Sequence, residues 1–364
     1  MAKPPSSNRS FASDRQRPFS SVETTPHPGP TIGITVGDFA GVGPELALRV
    51  LADHDPATGA HQDSDLDRDP KHLGDHRIKL YGPAAALLDL AKRLGIDPPR
   101  QDAIRHVGDL DLRGIRPGHP DRQTGKASFD AVNAAIDDAL RGDLDAVVTG
   151  PIQKEAWHSA GVPFPGHTEL FAERTGTEDY AMMLCGDEVA CVLVTIHIAI
   201  ADVPRALSVD GVLRSIRLAH RAVTDRPVST IAVLALNPHA GGGGQMGHGE
   251  EERCIHPAIE AARAEGIDVV GPLPPDTAFT PEMRKRVGVY VCMYHDQGLI
   301  PMKALCFDQG INVTLGLPII RTSVDHGTAL DLAWKGVASD ASLRAAVQAA
   351  DQMARRKAAT ASAS

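Results

Sequence analysis

Three apolar runs in this chain end on a histidine: VACVLVTIH at His197, TIAVLALNPH at His239 and VGVYVCMYH at His295. A single histidine at a strand end is usually structural, but three in equivalent positions form a pattern with chemical content. Neutral imidazoles on converging loops suit a borderline divalent metal such as Zn²⁺, Mn²⁺ or Co²⁺, with Mg²⁺ less favoured. Three protein ligands leave coordination positions open for a substrate oxygen or nitrogen. Two carboxylates stand close by in sequence, Asp296 beside His295 and Asp276 in GPLPPDT. Either can orient a ligand or accept a proton, and Asp276 serves equally well as a cap or turn residue after its Pro-Pro pair. Asp276 and Lys303 are the candidate catalytic groups.

The residues around these runs favour an anionic ligand. Lys303, Asn312 and Arg321 follow His295 in one segment and add two cations and an amide. A phosphate or carboxylate would satisfy them, because Arg offers a bidentate fork and Lys a point charge. In GHTELF, His167 and Thr168 precede a helical pattern, where Thr can cap the helix and His can meet an anion. GDFAGVGPE (37–45) joins a strand to a helix, so its N–H groups could receive an anion or carbonyl, or its glycines could simply form a tight turn. It is not a GxGxxG fingerprint, since Leu46 occupies the third glycine position, and no GK[ST] follows. NPHAGGGG sets four glycines close behind His239, which lets the backbone approach whatever that histidine holds. Gly298, after His295-Asp296-Gln297, is expected to let the chain turn toward Lys303.

Strand-like and helix-like segments alternate from residue 31 onward. TIGITV, HRIKLYG, DAVVTG and the three histidine-ended runs read as strands, with helical patterns at PELALRVLA, PAAALLDLAKRLG, 126–142, 208–224 and 250–265 between them. This alternation predicts an α/β fold on a largely parallel sheet, with ligands beyond the carboxyl ends of the strands. The polar stretch 53–76 reads as a surface insertion. Residues 1–30, rich in Ser, Pro and Arg, read as a disordered extension, and 358–364 as a disordered tail.

Composition narrows the class further. Hydrophobic residues make up 42% and charged residues 23%, as in an ordinary globular enzyme, while aromatics at 4% leave the core to Ala, Val, Leu and Ile. The formal charge of -9 argues against a nucleic-acid partner but permits a local basic pocket for a small anion. Five cysteines without CxxC spacing read as reduced core residues of a cytoplasmic protein. No apolar run reaches the ~18 residues of a membrane span, and the first thirty residues lack the apolar segment of a secretory signal.

Taken together, TVGDFAGVGPE, VVTGPIQK, PFPGHTE, TIHIAIADVP, LNPHAG, GPLPPDT, YHDQGLIPMK and GINVTLGLPIIRTSVDHGTALDLAWKG resemble the 4-hydroxythreonine-4-phosphate dehydrogenase family over roughly residues 31–357. Relatives oxidising phosphothreonate or an aromatic cis-dihydrodiol fall within the same likeness. The resemblance implies an isocitrate/isopropylmalate dehydrogenase-like fold of two intertwined subdomains, a homodimer with the active site at its interface, and NAD or NADP bound without a Rossmann fingerprint. It implies metal ligation by His197, His239 and His295, the last contributed across the interface. Substrate contacts fall on His167, Thr168, Lys303, Asn312 and Arg321, with the nearby acid at Asp276. Adenosine contacts fall on His326, Gly327, Thr328 and Asp331. The chain departs from the family pattern at Phe39, where Pro is common, at Gly242, where an acid is common, and at Trp334, where Gly is common. The implied reaction is metal-assisted, NAD-dependent oxidation of a secondary alcohol, with loss of an adjacent carboxylate as CO₂. A metal-dependent hydrolase and a non-catalytic binding protein are the competing classes.

Overall fold

The computed structural model describes residues 29–54, 76–224 and 226–363. The chain enters the fold on TIGIT, a run with every residue buried, which forms strand β1 (Thr31–Thr35). Helix α1 (Gly43–His54) follows, with Pro44 in its first turn, and then β2 (Arg77–Gly82) and α2 (Ala84–Leu94). Gly95, in the left-handed conformation, stops α2. The short β3 (Ile104–His106) leads to α3 (Arg122–Arg141), which an Asp121–Thr124 capping box starts and a left-handed Gly142 ends. Next come β4 (Ala146–Thr149), α4 (Lys154–Ser159), α5 (His167–Thr175), β5 (Ala181–Cys185) and β6 (Ala190–Leu193). The chain continues through α6 (Val203–Ala206), α7 (Val209–Val223), β7 (Ile231–Leu234), α8 (His256–Ala264), β8 (Val269–Leu273), α9 (Pro275–Ala278) and α10 (Pro281–Arg284). It closes with β9 (Val289–Cys292), α11 (His295–Cys306), β10 (Ile311–Leu315), β11 (Ile320–Val324) and α12 (Ala341–Ala363).

The strands make one sheet in the order β3-β2-β1-β4-β11-β10-β5-β6-β9-β7-β8. Seven of its ten pairings are parallel, as the alternation predicts. The antiparallel pairings β11–β10, β10–β5 and β5–β6 all lie in the middle. Three reversals in succession leave the block β3-β2-β1-β4-β11 running opposite to the block β6-β9-β7-β8. The core is aliphatic, with Trp157, Tyr81, Tyr290, Phe39 and Phe171 as its largest enclosed side chains. All five cysteines are free thiols and buried. Among the described residues no helix is long and apolar enough to cross a membrane.

Several expectations change. The histidine-ended runs pair in the sheet only to Leu193, Leu234 and Cys292, so the histidines stand beyond the strands. His295 opens α11, and Gly298 lies inside that helix rather than in a turn. A Cβ there would come within 3.0 Å of the Cβ of Cys191 and 3.1 Å of the Cys292 sulfur, so the glycine serves close packing of helix on sheet. The supposed 53–76 insertion begins in the last turn of α1, where Asp53 pairs with Arg344 of α12, and ends at His76, which is 3% exposed. Its span 55–75 lies outside the described residues, as do residues 1–28 of the expected N-terminal extension. The expected tail is helical to Ala363, because its alanines extend α12 without a breaker.

Helix α4 packs on α3 through Gly125, where a Cβ would lie 2.2 Å from the Ala156 carbonyl oxygen. Backbone cannot yield as a flexible side chain does. Gly125→Ala is therefore expected to lower stability by about 1–3 kcal/mol, read as a lower urea midpoint. An unchanged midpoint would show that the α3–α4 contact has slack.

Candidate active site

Strands β6, β9 and β7 are consecutive and parallel, so the segments carrying His197, His295 and His239 leave the sheet side by side from one edge. The rings of His197 and His295 are 5.7 Å apart. Burial, reinforced by the charges of Lys154 and His295 and opposed by Glu169, holds the His197 imidazole below its ordinary pKa, which favours the neutral, lone-pair form. His295 Nδ1 lies 2.7 Å from Asp296 Oδ1, which fixes its ring and leaves Nε2 as the outward nitrogen. The sequence reading of Asp296 as an orienting carboxylate thus has a direct contact behind it. His239 is exposed, on a left-handed turn. Among the described residues, no group of three or more His, Cys, Asp or Glu side chains is gathered closely enough to hold a metal. The pair His197–His295 suits a divalent metal by donor chemistry, and His239 stands on the neighbouring loop. Asp276 is exposed in the first turn of α9, where Pro274 and not Asp276 holds the cap position and no side chain caps the helix.

A buried cation is linked electrostatically to this pair. Arg321 of β11 is 3% exposed. Its Nη1 and Nη2 donate to Thr314 Oγ1 and Thr149 Oγ1, each at 2.9 Å, while Nε has no partner. Among the described residues no carboxylate forms an ion pair with it, and burial draws its pKa down to about 10 against the opposing charge of Glu169. His167 opens α5 beside it, edge-on to Trp157, with Nε2 buried and unpartnered. Burial and then the Arg321 charge push His167 well below the ordinary imidazole pKa. Thr168 is buried in the same turn.

Lys154 and Glu169 complete this region. A Cβ on Gly166 would lie 3.4 Å from Glu169 Oε2 and 3.9 Å from Lys154 Cε. Glu169 acts electrostatically on both Arg321 and His197, and Lys154 on His197, so the buried cation and the histidine pair share one field. Both residues lie in motifs already noted, GPIQK and GHTE, yet charge at a helix start reads from sequence as solvated surface. Lys303 instead joins Asp325 by an ion pair of 2.5 Å and a bond to its carbonyl oxygen at 3.0 Å. Asn312 faces Ser323 across β10 and β11, and its Oδ1 is buried without a partner.

The segment after β11 packs onto the glycine loop after β1. Val42 donates to the Thr328 carbonyl oxygen at 3.0 Å, and a Cβ on Gly41 would lie 2.7 Å from that same oxygen. Thr328 Oγ1 donates to Gln153, the residue before Lys154, at 2.9 Å. Ala40 and Gly41 donate to Asp38 and Asp38 N donates to the Pro151 carbonyl oxygen, so these N–H groups of the loop are occupied within the protein. Trp334 Nε1 donates to the Phe39 carbonyl oxygen at 2.8 Å, which joins two of the three departures from the family pattern. Trp334 has φ +60, a conformation that explains a preference for glycine there. His326 Nδ1 contacts the Gly327 carbonyl oxygen at 2.8 Å and its Nε2 is buried without a partner, whereas Asp331 is exposed. An unpartnered His326 nitrogen beside a backbone-lined loop is compatible with a nucleotide.

Asp38, fully buried, was overlooked in the sequence. Its carboxylate accepts from Ala40 N at 2.9 Å and Thr124 Oγ1 at 3.1 Å, and burial raises its pKa from 3.8 to about 6. The folded state thus holds this proton more tightly than the unfolded chain. That stabilisation is complete below about pH 3.8 and is lost as pH rises through about 6. Asparagine can keep both hydrogen bonds without the charge. Asp38→Asn should raise the melting temperature at pH 8 by an amount equivalent to at most roughly 3 kcal/mol, with the gap closing between about pH 6 and 4. A gap independent of pH in thermal melts would remove the buried charge as its cause.

A family model described as pyridoxal phosphate biosynthetic protein PdxA matches residues 71–350. The 4-hydroxythreonine-4-phosphate dehydrogenase of Geobacter metallireducens is 45% identical over 340 residues, covering 91% of this chain and 98% of that protein. The D-threonate 4-phosphate dehydrogenase of Cupriavidus necator is 39% identical over 340 residues, covering 90% and 98%. The crystal structure of 4-hydroxythreonine-4-phosphate dehydrogenase from Klebsiella pneumoniae aligns with a TM-score of 0.74 at 37% identity, over 90% of this chain and 98% of that one. This chain therefore belongs to the pyridoxal phosphate biosynthetic protein PdxA family and is a dehydrogenase acting on a CH–OH group.

Proposed function

We propose that this protein oxidises the secondary alcohol of 4-phosphooxy-L-threonine with NAD⁺, giving NADH, a proton and a 3-oxo acid that loses CO₂ to leave 3-amino-2-oxopropyl phosphate. The observation that carries this reading is the buried, carboxylate-free guanidinium of Arg321 beside the unpartnered His167 nitrogen, in one electrostatic region with His197 and His295. A buried cation whose hydrogen bonds go only to hydroxyls, with the Phe171 ring 5.6 Å from its Cζ, has no paired carboxylate, and an anionic substrate group would complete it. Arg321, His167 and Thr168 bind that group, and Lys154 and Glu169 set the field between it and the histidine pair. Asn312 and Lys303 are carried as further substrate contacts. Lys303 reaches them only if its pairing with Asp325 is exchanged. With the anion held, the reacting carbon is fixed against the nicotinamide.

A divalent ion held by His197, His239 and His295 would supply polarisation of the substrate hydroxyl and of the carbonyl that replaces it. Zn²⁺, Mn²⁺ and Co²⁺ fit imidazole nitrogen better than Mg²⁺. Asp296 orients His295, and Asp276 is the candidate proton acceptor. The loop His326, Gly327, Thr328 and Asp331 takes the adenosine of NAD or NADP. Ile198, Ile200, Met246 and Ile300 are 44%, 72%, 40% and 67% exposed on the histidine-bearing segments, which supports a homodimer that covers them and completes the site. The cytoplasm is the proposed compartment.

The second reading is phosphothreonate oxidation, favoured by the similarity to a D-threonate 4-phosphate dehydrogenase. The two substrates differ in an ammonium versus a hydroxyl. Purified protein with NAD⁺ and Zn²⁺, Mn²⁺ or Co²⁺ should produce NADH from 4-phosphooxy-threonine with the highest kcat/KM of a panel that includes phosphothreonate and an aromatic dicarboxylate cis-dihydrodiol. Turnover of phosphothreonate alone would select the second reading, and silence across the panel would end both. Arg321→Lys should raise KM for the phosphorylated substrate by about 10- to 100-fold, since it loses the forked donor. Light scattering should return the mass of two chains; a monomer at full activity would contradict a shared site.

A further inference from the structure

The turn that carries His239 has an unusual backbone: His239, Ala240, Gly241, Gly242, Gly243 and Gly244 all have positive φ, from 51° to 84°. The first two of these residues carry a Cβ in a conformation that L side chains rarely adopt. Such backbone persists only where its surroundings over-determine it. The turn has no acidic residue of its own between 239 and 249, and it receives two from the helix that follows.

Glu250 and Glu251 are 2% and 0% exposed. Glu251 Oε1 accepts from the backbone N–H groups of Leu236 at 3.0 Å and Asn237 at 2.8 Å, and its Oε2 accepts from Asn237 Nδ2 at 3.0 Å. Glu250 Oε2 accepts from the same Nδ2 at 3.0 Å and from His248 N at 2.8 Å. Among the described residues neither carboxylate forms an ion pair with Lys or Arg. The two therefore grip the turn at both ends, before Pro238 and at His248. Close fit adds to the grip: a Cβ on Gly241 would lie 2.8 Å from Glu251 Oε2, and one on Gly247 would lie 2.3 Å from Asn237 Nδ2.

We propose that Glu250 and Glu251 act through Asn237 as a carboxylate clamp that holds the 237–248 turn in its left-handed form and so positions His239. Glu251 is a positioning residue in this scheme, since it acts through the turn and not on substrate. The inference rests on the reading of His239 as a metal ligand only for its second readout.

Glu251→Gln tests it. Glutamine keeps the size and one acceptor but turns an NH₂ group against the NH₂ of Asn237. By hydrogen exchange, amides 236–248 should open at least about tenfold faster than in the unmodified protein, with the rest of the sheet unchanged. Titration with Co²⁺, followed by its visible absorption, should give a Kd weakened by about 10- to 100-fold. Unchanged exchange in the turn overturns the clamp, whatever the metal does. Faster exchange with an unchanged Co²⁺ Kd overturns its role in positioning His239. If the unmodified protein and His239→Ala bind Co²⁺ alike, the metal reading fails while the exchange result still decides the clamp. Should Glu251→Gln not fold, Glu250→Met, which removes the one oxygen that accepts from Asn237 Nδ2 and His248 N, carries the same comparison.

Discussion

The three antiparallel pairings at the centre of the sheet are the constraint on which the rest of the molecule depends. A wholly parallel sheet would align every strand's carboxyl end along one edge. Here the reversal through β10 and β5 gives two parallel blocks of opposite direction. The block containing β6, β9 and β7 delivers the histidine-bearing segments side by side, while the block containing β1, β4 and β11 delivers the glycine loop, Gln153 and Thr328. Arg321 lies at the junction, bonded to Thr149 of β4 and Thr314 of β10, so the same strands that join the blocks also hold the buried cation.

Charge in the site is arranged by burial more than by pairing. Arg321 remains a cation because its intrinsic pKa is high enough to survive desolvation, whereas His167 beside it is driven neutral by the same desolvation and by the Arg321 charge. His197 is also held toward neutrality. The result is a region with a fixed positive end and uncharged imidazoles, suited to an anion at one place and to lone-pair donation at another. Glu169 faces both and moderates each.

Rigidity comes from backbone contacts that leave no room for a side chain. Gly41 against Thr328 and Gly125 against Ala156 each join a loop or helix to its neighbour at a distance that a Cβ would violate. Asp38 and Glu251 have a similar function by other means, as buried carboxylates whose hydrogen bonds come from backbone N–H groups and neutral side chains of nearby segments. Each holds a glycine-containing turn that could otherwise take many conformations.

The sequence by itself determined the alternation of strands and helices, the largely parallel sheet, the aliphatic core and the grouping of His197, His239 and His295 on equivalent strand-following segments. These are local or compositional properties, and hydrophobic periodicity, glycine stops and β-branched runs report them directly. The central reversal was not legible, because strand direction depends on pairing between segments far apart in the chain. For the same reason Lys154 and Glu169 looked like surface charges, Asp38 drew no reading, and Lys303 gave no sign of its partner Asp325. Only the tertiary structure decided these, since burial and the identity of a neighbour, not residue type, set what a charged group does.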